Sequence, residues 1–275
     1  MTGSPLSFTE VLMQAVRDMT LHGFDDIERL HDWMRKLRFA AVRELPPENQ
    51  LETQMAAALR AAFNRAISKP AILRKHRGIE PFKIEQIKPQ LRDELDKRIL
   101  ASVALIKLNR EQAVEKTLQR FSGWATSIPA GGSRVVDKRD TKADIGKSMQ
   151  QIRFEERRVA IDQGHKLMAA VNEVIAKQTG AIAAEWRSHG RDDKSYDARP
   201  EHLHRDGSIF AIRGNWAMER GLMNKGVGYV DGIERPGELP YCRCYYVYLH
   251  NLRELPDSML TERGRFARIE TQVAA

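Results

Sequence analysis

Apolar residues recur at helical spacing through the first 125 positions and again from about 144 to 177, whereas beyond Gly180 the pattern shortens to a period of two. Phe8 to Met19 predicts a short first helix. Asp25 and Asp26 open a second, with Ile27, Leu30, Trp33, Met34 and Leu37 on one face. Pro46-Pro47 interrupts the pattern, and Pro47 suits the first turn of a third helix from Leu51 to Ile67. That segment is alanine-rich, which favours helix and close packing. Pro70, Gly78 and Pro81 mark a loop. After Pro89, Leu91, Leu95, Ile99, Val103, Ile106, Val114, Leu118 and Phe121 form one long stripe. It exceeds what a small helical domain needs for its own core, so part of it is expected to face a partner.

Residues 126–142 hold Pro, Gly-Gly and mixed charge with little apolar content, and read as a linker or exposed loop where a protease cuts first. A helix follows from about Asp144 to Lys177, with Phe154, Val159, Ile161, Leu167, Met168, Val171, Val174 and Ile175 supplying its apolar face and Gly180 placed as a C-cap. Ala181 to Trp186, Gly207 to Ile212 and Cys244 to Leu249 then read as strands. Residues 220–240 are glycine-rich, but their glycines are spread through turns and not set as GxGxxG after a strand, which excludes a dinucleotide-binding turn. The expected fold is α+β: an N-terminal helical region over 1–125, then a small mixed domain in which a long helix packs on a short antiparallel sheet.

Composition changes this picture little. A chain of 275 residues with 42% hydrophobic content supports one large domain or two small ones, and 30% charged residues imply solvated helix faces. Charge is more informative. Of a net +8, the larger part lies in residues 66–110, which hold eleven Lys or Arg against five Asp or Glu. Lys75 and Arg77, with Lys83 nearby, form a candidate phosphate-facing patch for non-specific DNA; a solvated helix face is the competing reading. Aromatic residues are scarce there, so stacking on single-stranded bases is not supported. No run approaches the ~20 apolar residues of a membrane span. The opening MTGSPLSFTE has neither the basic head nor the apolar run of a secretory signal, and two cysteines make no disulfide framework, so synthesis in a reducing cytoplasm is expected.

Both cysteines, Cys242 and Cys244, stand one residue apart. In a strand, residues i and i+2 share a face, so both sulfurs would point together. The segment ARPEHLHRDG offers a second such pair, His202 and His204. If the two segments pair in the sheet, two sulfurs and two imidazoles converge as in a closed structural zinc site, with Asp206 a rival fourth ligand. Two buried thiols beside two loop histidines is the plainer alternative. A Cys-x-Cys disulfide closes a tight, strained loop and ranks below both.

From about Phe154 to Pro256 the chain resembles the phage head morphogenesis domain named after protein F of bacteriophage Mu. The resemblance is carried in order by the helix RRVAIDQGHKLMAAVNEVIAKQTG, the strand AIAAEWRS with Trp186, Arg199-Pro200-Glu201-His202 followed by Asp206-Gly207, and RPGELPYCRC ending at Cys244. Ile161-Asp162-Gln163 stands where many members carry an acidic or threonine-containing motif, and residues between His202 and Gly207 vary in the family, so His204 is not carried over. The resemblance therefore favours His202, Cys242 and Cys244 as a trio. It places the domain at 143–256, with a tail at 257–275.

The resemblance implies a minor head protein of a tailed phage or prophage. Such a protein acts in head morphogenesis at the portal vertex, is carried in the virion, and is linked in some members to DNA packaging or ejection. Its expected partners are the portal protein, other copies of itself, capsid or scaffold proteins, and packaged DNA without sequence preference. No catalysis is implied, and the metal would be structural zinc. The alternatives are a metal-dependent nuclease built on His202, His204 and Asp206, or a DNA-binding adaptor outside the virion.

Overall fold

The computed structural model describes residues 5–79, 82–189 and 198–273, with side chains left aside at 82–85 and 270–273. Helix α1 (Phe8–His22) starts at a capping box in which Ser7 accepts from Glu10 N–H and the Glu10 carboxylate accepts from Ser7 N–H. Such a cap contributes about 1 kcal/mol. Asp26 caps α2 (Ile27–Glu44), as the acidic pair suggests. Helix α3 (Glu48–Ala66) begins just after Pro47. The segment expected to be a loop instead carries α4 (Lys69–Lys75), with Pro70 in its first turn, and a two-residue strand β1 (His76–Arg77); Pro81 lies outside the described residues. Helix α5 (Phe82–Ala125) begins ahead of Pro89 and passes through it, although proline has no N–H to donate. Helix α6 (Lys138–Gln178) starts earlier than its apolar pattern indicates. No helix among the described residues is long and apolar enough to cross a membrane.

The chain forms two compact units, and each combines two separated stretches: Met1–Gln54 with Ala101–Val159, and Met55–Leu100 with Ala160–Ala275. This differs from the sequential division at 125 and 143. In the first unit, Phe8, Leu12, Val16 and Met19 of α1 pack with Leu30 and Leu37 of α2, Val114, Leu118 and Phe121 of α5, and Ile145 of α6. Arg110 is buried there, bonded to Glu156 Oε1 at 2.5 Å and to Pro46 O at 2.9 Å. Every residue of the Leu91–Phe121 stripe is buried within the chain, where part of it was expected to face a partner; among the described side chains of α5 the large apolar residues left exposed are Leu100, Leu105 and Leu108.

The expected linker is a docked loop. Phe24 N–H donates to Ile128 O, Gly131 N–H to His22 O and Ser133 N–H to Thr20 O, so the loop satisfies the last carbonyls of α1. Ile128 is buried, and residues 138–142 already belong to α6.

The second unit holds a sheet of β1, β2 (Ala183–Arg187), β3 (Ile209–Ala211) and β4 (Tyr245–Leu249) in the order β1-β4-β2-β3. The sheet is mixed: β2 runs antiparallel to β3 and β4, whereas β1 joins β4 in parallel. Pairing of Ala184 with Tyr248 and of Trp186 with Tyr246 fixes the register. By the period of two, Ala184, Trp186, Tyr246 and Tyr248 share one face, packed with Ala176 of α6, Cys242 and Cys244. The opposite face, with Ala183, Ala211 and Leu249, packs on Met223, Leu252, Leu255, Met259 and Leu260. Gly180 ends α6 at a φ of 71°, with Ala181 N–H returning to Ala176 O. The expected tail is part of this core: Met259 and Leu260 are buried, and a last helix, Glu262–Val273, follows them.

Candidate metal centre

His202 lies on α7 (Pro200–His204), a single turn that Pro200 starts at the first helical position. The turn is helical, not extended, and this decides which histidine is used. At 3.6 residues per turn, positions two apart point about 200° away from each other. His202 is therefore fully buried while His204 is exposed, and the expected strand pairing of two histidines with two cysteines does not form. Asp206 is also outside the cluster; its Oδ1 accepts the Ser188 N–H at 2.8 Å.

Cys242 and Cys244 lie just before β4, not inside a strand. Their sulfurs nevertheless point the same way. His202 Nδ1 is 3.6 Å from Cys242 Sγ and 3.5 Å from Cys244 Sγ. All three side chains are buried, their donor atoms lie within 4.8 Å of one another, and the triad could hold a metal ion. Backbone N–H groups of Gly237 and Cys244 face the Cys242 sulfur, and that of His189 faces the Cys244 sulfur. The hydrogen bond from Cys244, then those backbone groups and His202, draw the Cys242 thiol well below its ordinary range against the effect of burial. The same bond, with burial, pushes Cys244 up. One sulfur is thus favoured as thiolate even without an ion.

Two residues that spacing did not single out complete the site. Glu234 Oε2 lies 3.4 Å from His202 Nε2, the nitrogen turned away from the sulfurs. A carboxylate accepting there holds the other nitrogen's lone pair toward the thiols, the usual outer arrangement of a ligating histidine. Asp162 of α6 accepts the Tyr241 N–H at 2.6 Å, immediately before Cys242. Trp186 packs edge-on to His202 at 5.1 Å between ring centres, and the Arg205 guanidinium lies over Trp186 at 5.3 Å.

The basic residues are used differently from expectation. Arg77 pairs with Glu254 at 2.7 Å and stands 3.8 Å from Glu185. Lys75 Nζ lies 5.2 Å from the Tyr245 ring centre, and burial with Arg74 beside it lowers its pKa to about 8. Lys83 lies in α5 outside the described side chains. Lys75 and Arg77 therefore do not make a free cationic patch. His76, between them, is fully buried, bonded through Nε2 to Asn172 Oδ1 at 3.0 Å and stacked on Tyr248 at 5.2 Å.

A cavity of about 690 Å³ opens beside the tyrosine face of the sheet. Its charged walls largely pair among themselves: Glu173 with Arg235 and Lys177, and Asp231 with Arg213. No family model, no curated protein and no solved structure matches the chain.

Proposed function

We propose that the chain is a minor head protein of a tailed phage or prophage, acting in head morphogenesis at the portal vertex, with a small sheet stapled by one structural zinc. One observation carries this reading. Four of the residues through which the sequence resembles the Mu F-like domain, Trp186, His202, Cys242 and Cys244, are spread over nearly sixty positions yet are buried side by side. Trp186 touches His202, Gly207 N–H donates to Trp186 O, and Arg199 donates to Pro240 O at 3.2 Å, two residues before Cys242. That these residues pack together supports the reading.

Zinc suits the donor set. At about 2.3 Å from sulfur and 2.0 Å from nitrogen, tetrahedral zinc keeps S and N about 3.5 Å apart, close to the separations found here. With His202, Cys242 and Cys244 all buried, the role of the ion is to tie α7 and the 237–244 turn to the sheet. The nuclease alternative required His204 and Asp206 in the same cluster, and both point elsewhere.

The portal association is tested by co-expressing the chain with the portal protein of the same prophage and isolating the rings. Retention of the chain on portal rings is the expected result. Absence of the chain both from rings and from purified heads overturns the virion role.

A further inference from the structure

We propose that Asp162 is a positioning residue for the metal centre: it holds Tyr241 in a left-handed backbone conformation and so aims Cys242 at its two co-ligands. The inference rests on the metal reading above. Tyr241 has a φ of 62° and is the only non-glycine residue with positive φ among the described residues. Side chains beyond Gly, Asn and Asp strongly disfavour this region, because Cβ crowds the neighbouring carbonyl oxygen. Something outside the turn must hold it. The Asp162 carboxylate does so across 79 positions of sequence: Oδ1 accepts the Tyr241 N–H at 2.6 Å, a short charge-assisted bond. Asp162 is itself fixed, since it is buried, its Oδ2 lies 3.1 Å from Lys166 Nζ, and the same oxygen accepts from Gln163 Nε2 at 3.4 Å.

The consequence is directional. Cys242 follows Tyr241, so the φ at 241 sets where the first sulfur points. Without the carboxylate, Tyr241 relaxes toward negative φ and the Cys242 sulfur swings away from His202 Nδ1. The loss is one of ligand placement, which separates this role from that of an ordinary buried carboxylate. It also predicts a rescue. Glycine takes positive φ freely, so Gly at 241 removes the need for the clamp. Valine, branched at Cβ, increases it.

The experiment measures cobalt(II) and zinc affinity of the full chain by competition with a chromogenic chelator, and records the sulfur-to-cobalt charge-transfer band. Asp162→Ala is expected to weaken binding by about tenfold or more, the range for lost outer-sphere support of a ligand. Adding Tyr241→Gly is expected to recover most of that loss, whereas adding Tyr241→Val recovers none. Tyr241→Val alone is expected to weaken binding with Asp162 intact, which keeps the test available if Asp162→Ala does not fold. A wild-type chain that binds neither ion overturns the metal reading and this inference together. Wild-type binding with Asp162→Ala or Tyr241→Val equally tight overturns the inference and leaves the metal reading standing. So does a loss in Asp162→Ala that Tyr241→Gly does not relieve.

Discussion

His202 presents different chemistry at its two ring nitrogens, with sulfurs 3.5 and 3.6 Å from Nδ1 and a carboxylate 3.4 Å from Nε2. If Glu234 fixes that tautomer, Glu234→Gln should weaken zinc binding by about tenfold while the cobalt band keeps its shape, because the ligands are unchanged. Cys242→Ser should abolish tight binding and lower the stability of the second unit, since ion binding and folding are linked. His76 supplies a separate acid response. Burial, opposed by its bond to Asn172, lowers its pKa from the ordinary 6.5 to about 3. The unfolded chain then holds the extra proton between those values, so stability is full above about 6.5 and falls as pH drops toward 3, by up to ~1.4 kcal/mol per pH unit. Denaturant midpoints at pH 7 and pH 5 should differ more for the wild type than for His76→Gln; equal differences would show that His76 is not the group responsible. The trio that could hold a metal was legible because Cys-x-Cys is a local signal and the family resemblance pointed to His202. Glu234 and Asp162 were not, because they arrive from 32 and 79 positions away and carry no pattern of their own. His204 was misread because the same two-residue spacing that aligns side chains on a strand opposes them on a helical turn.

Elements show a related limit. The composition of 126–142 correctly reported polarity, but polarity says nothing about where backbone groups are satisfied. Gly132 explains the docking: at a φ of 85°, an added Cβ would lie 2.3 Å from Leu21 O. Gly131 has nearly the same φ, 87°, but nothing within 4 Å of that position. Gly131→Ala should therefore cost only the backbone preference, about 1–2 kcal/mol. Gly132→Ala should cost clearly more, since it must also part the loop from α1. Chemical unfolding of the two variants reads the difference, and equal losses would mean the contact is not tight. The first proteolytic cut should fall near Val135, which is 94% exposed, and not in the bonded stretch at 128–133. The long helices were legible from their stripes, and the three longer strands from their period. Strand β1 was not: two residues, one of them a buried histidine inside a basic run, have no period to read. Its parallel partner β4 lies about 170 positions away, so only the folded sheet identifies it.

At the scale of the whole molecule, the second unit takes Met55–Leu100 as well as Ala160–Ala275, and this bears on what can fold alone. A fragment of residues 143–275 retains His202, Cys242, Cys244 and strands β2 to β4. It lacks β1, and with it several contacts made on one edge of the sheet. His76 bonds to Asn172 and stacks on Tyr248, Arg77 pairs with Glu254, and the Arg77 carbonyl lies 3.2 Å from His250 Nδ1. Without these, β4 becomes an edge strand with an unpaired row of backbone groups, and Tyr248, buried in the chain, loses its cover. The fragment is therefore expected to bind zinc, because the ligands are all present, yet to bind a hydrophobic dye and unfold without a sharp transition. Supplying residues 55–100 as a second chain should restore cooperative unfolding and suppress dye binding. His76→Asp in that second chain should not restore either property, because it sets an unpaired charge against Asn172 and Tyr248. Should residues 143–275 alone melt as sharply as the full chain, the β1 edge is dispensable and the motif-bearing region folds as the sequential division of the chain suggested.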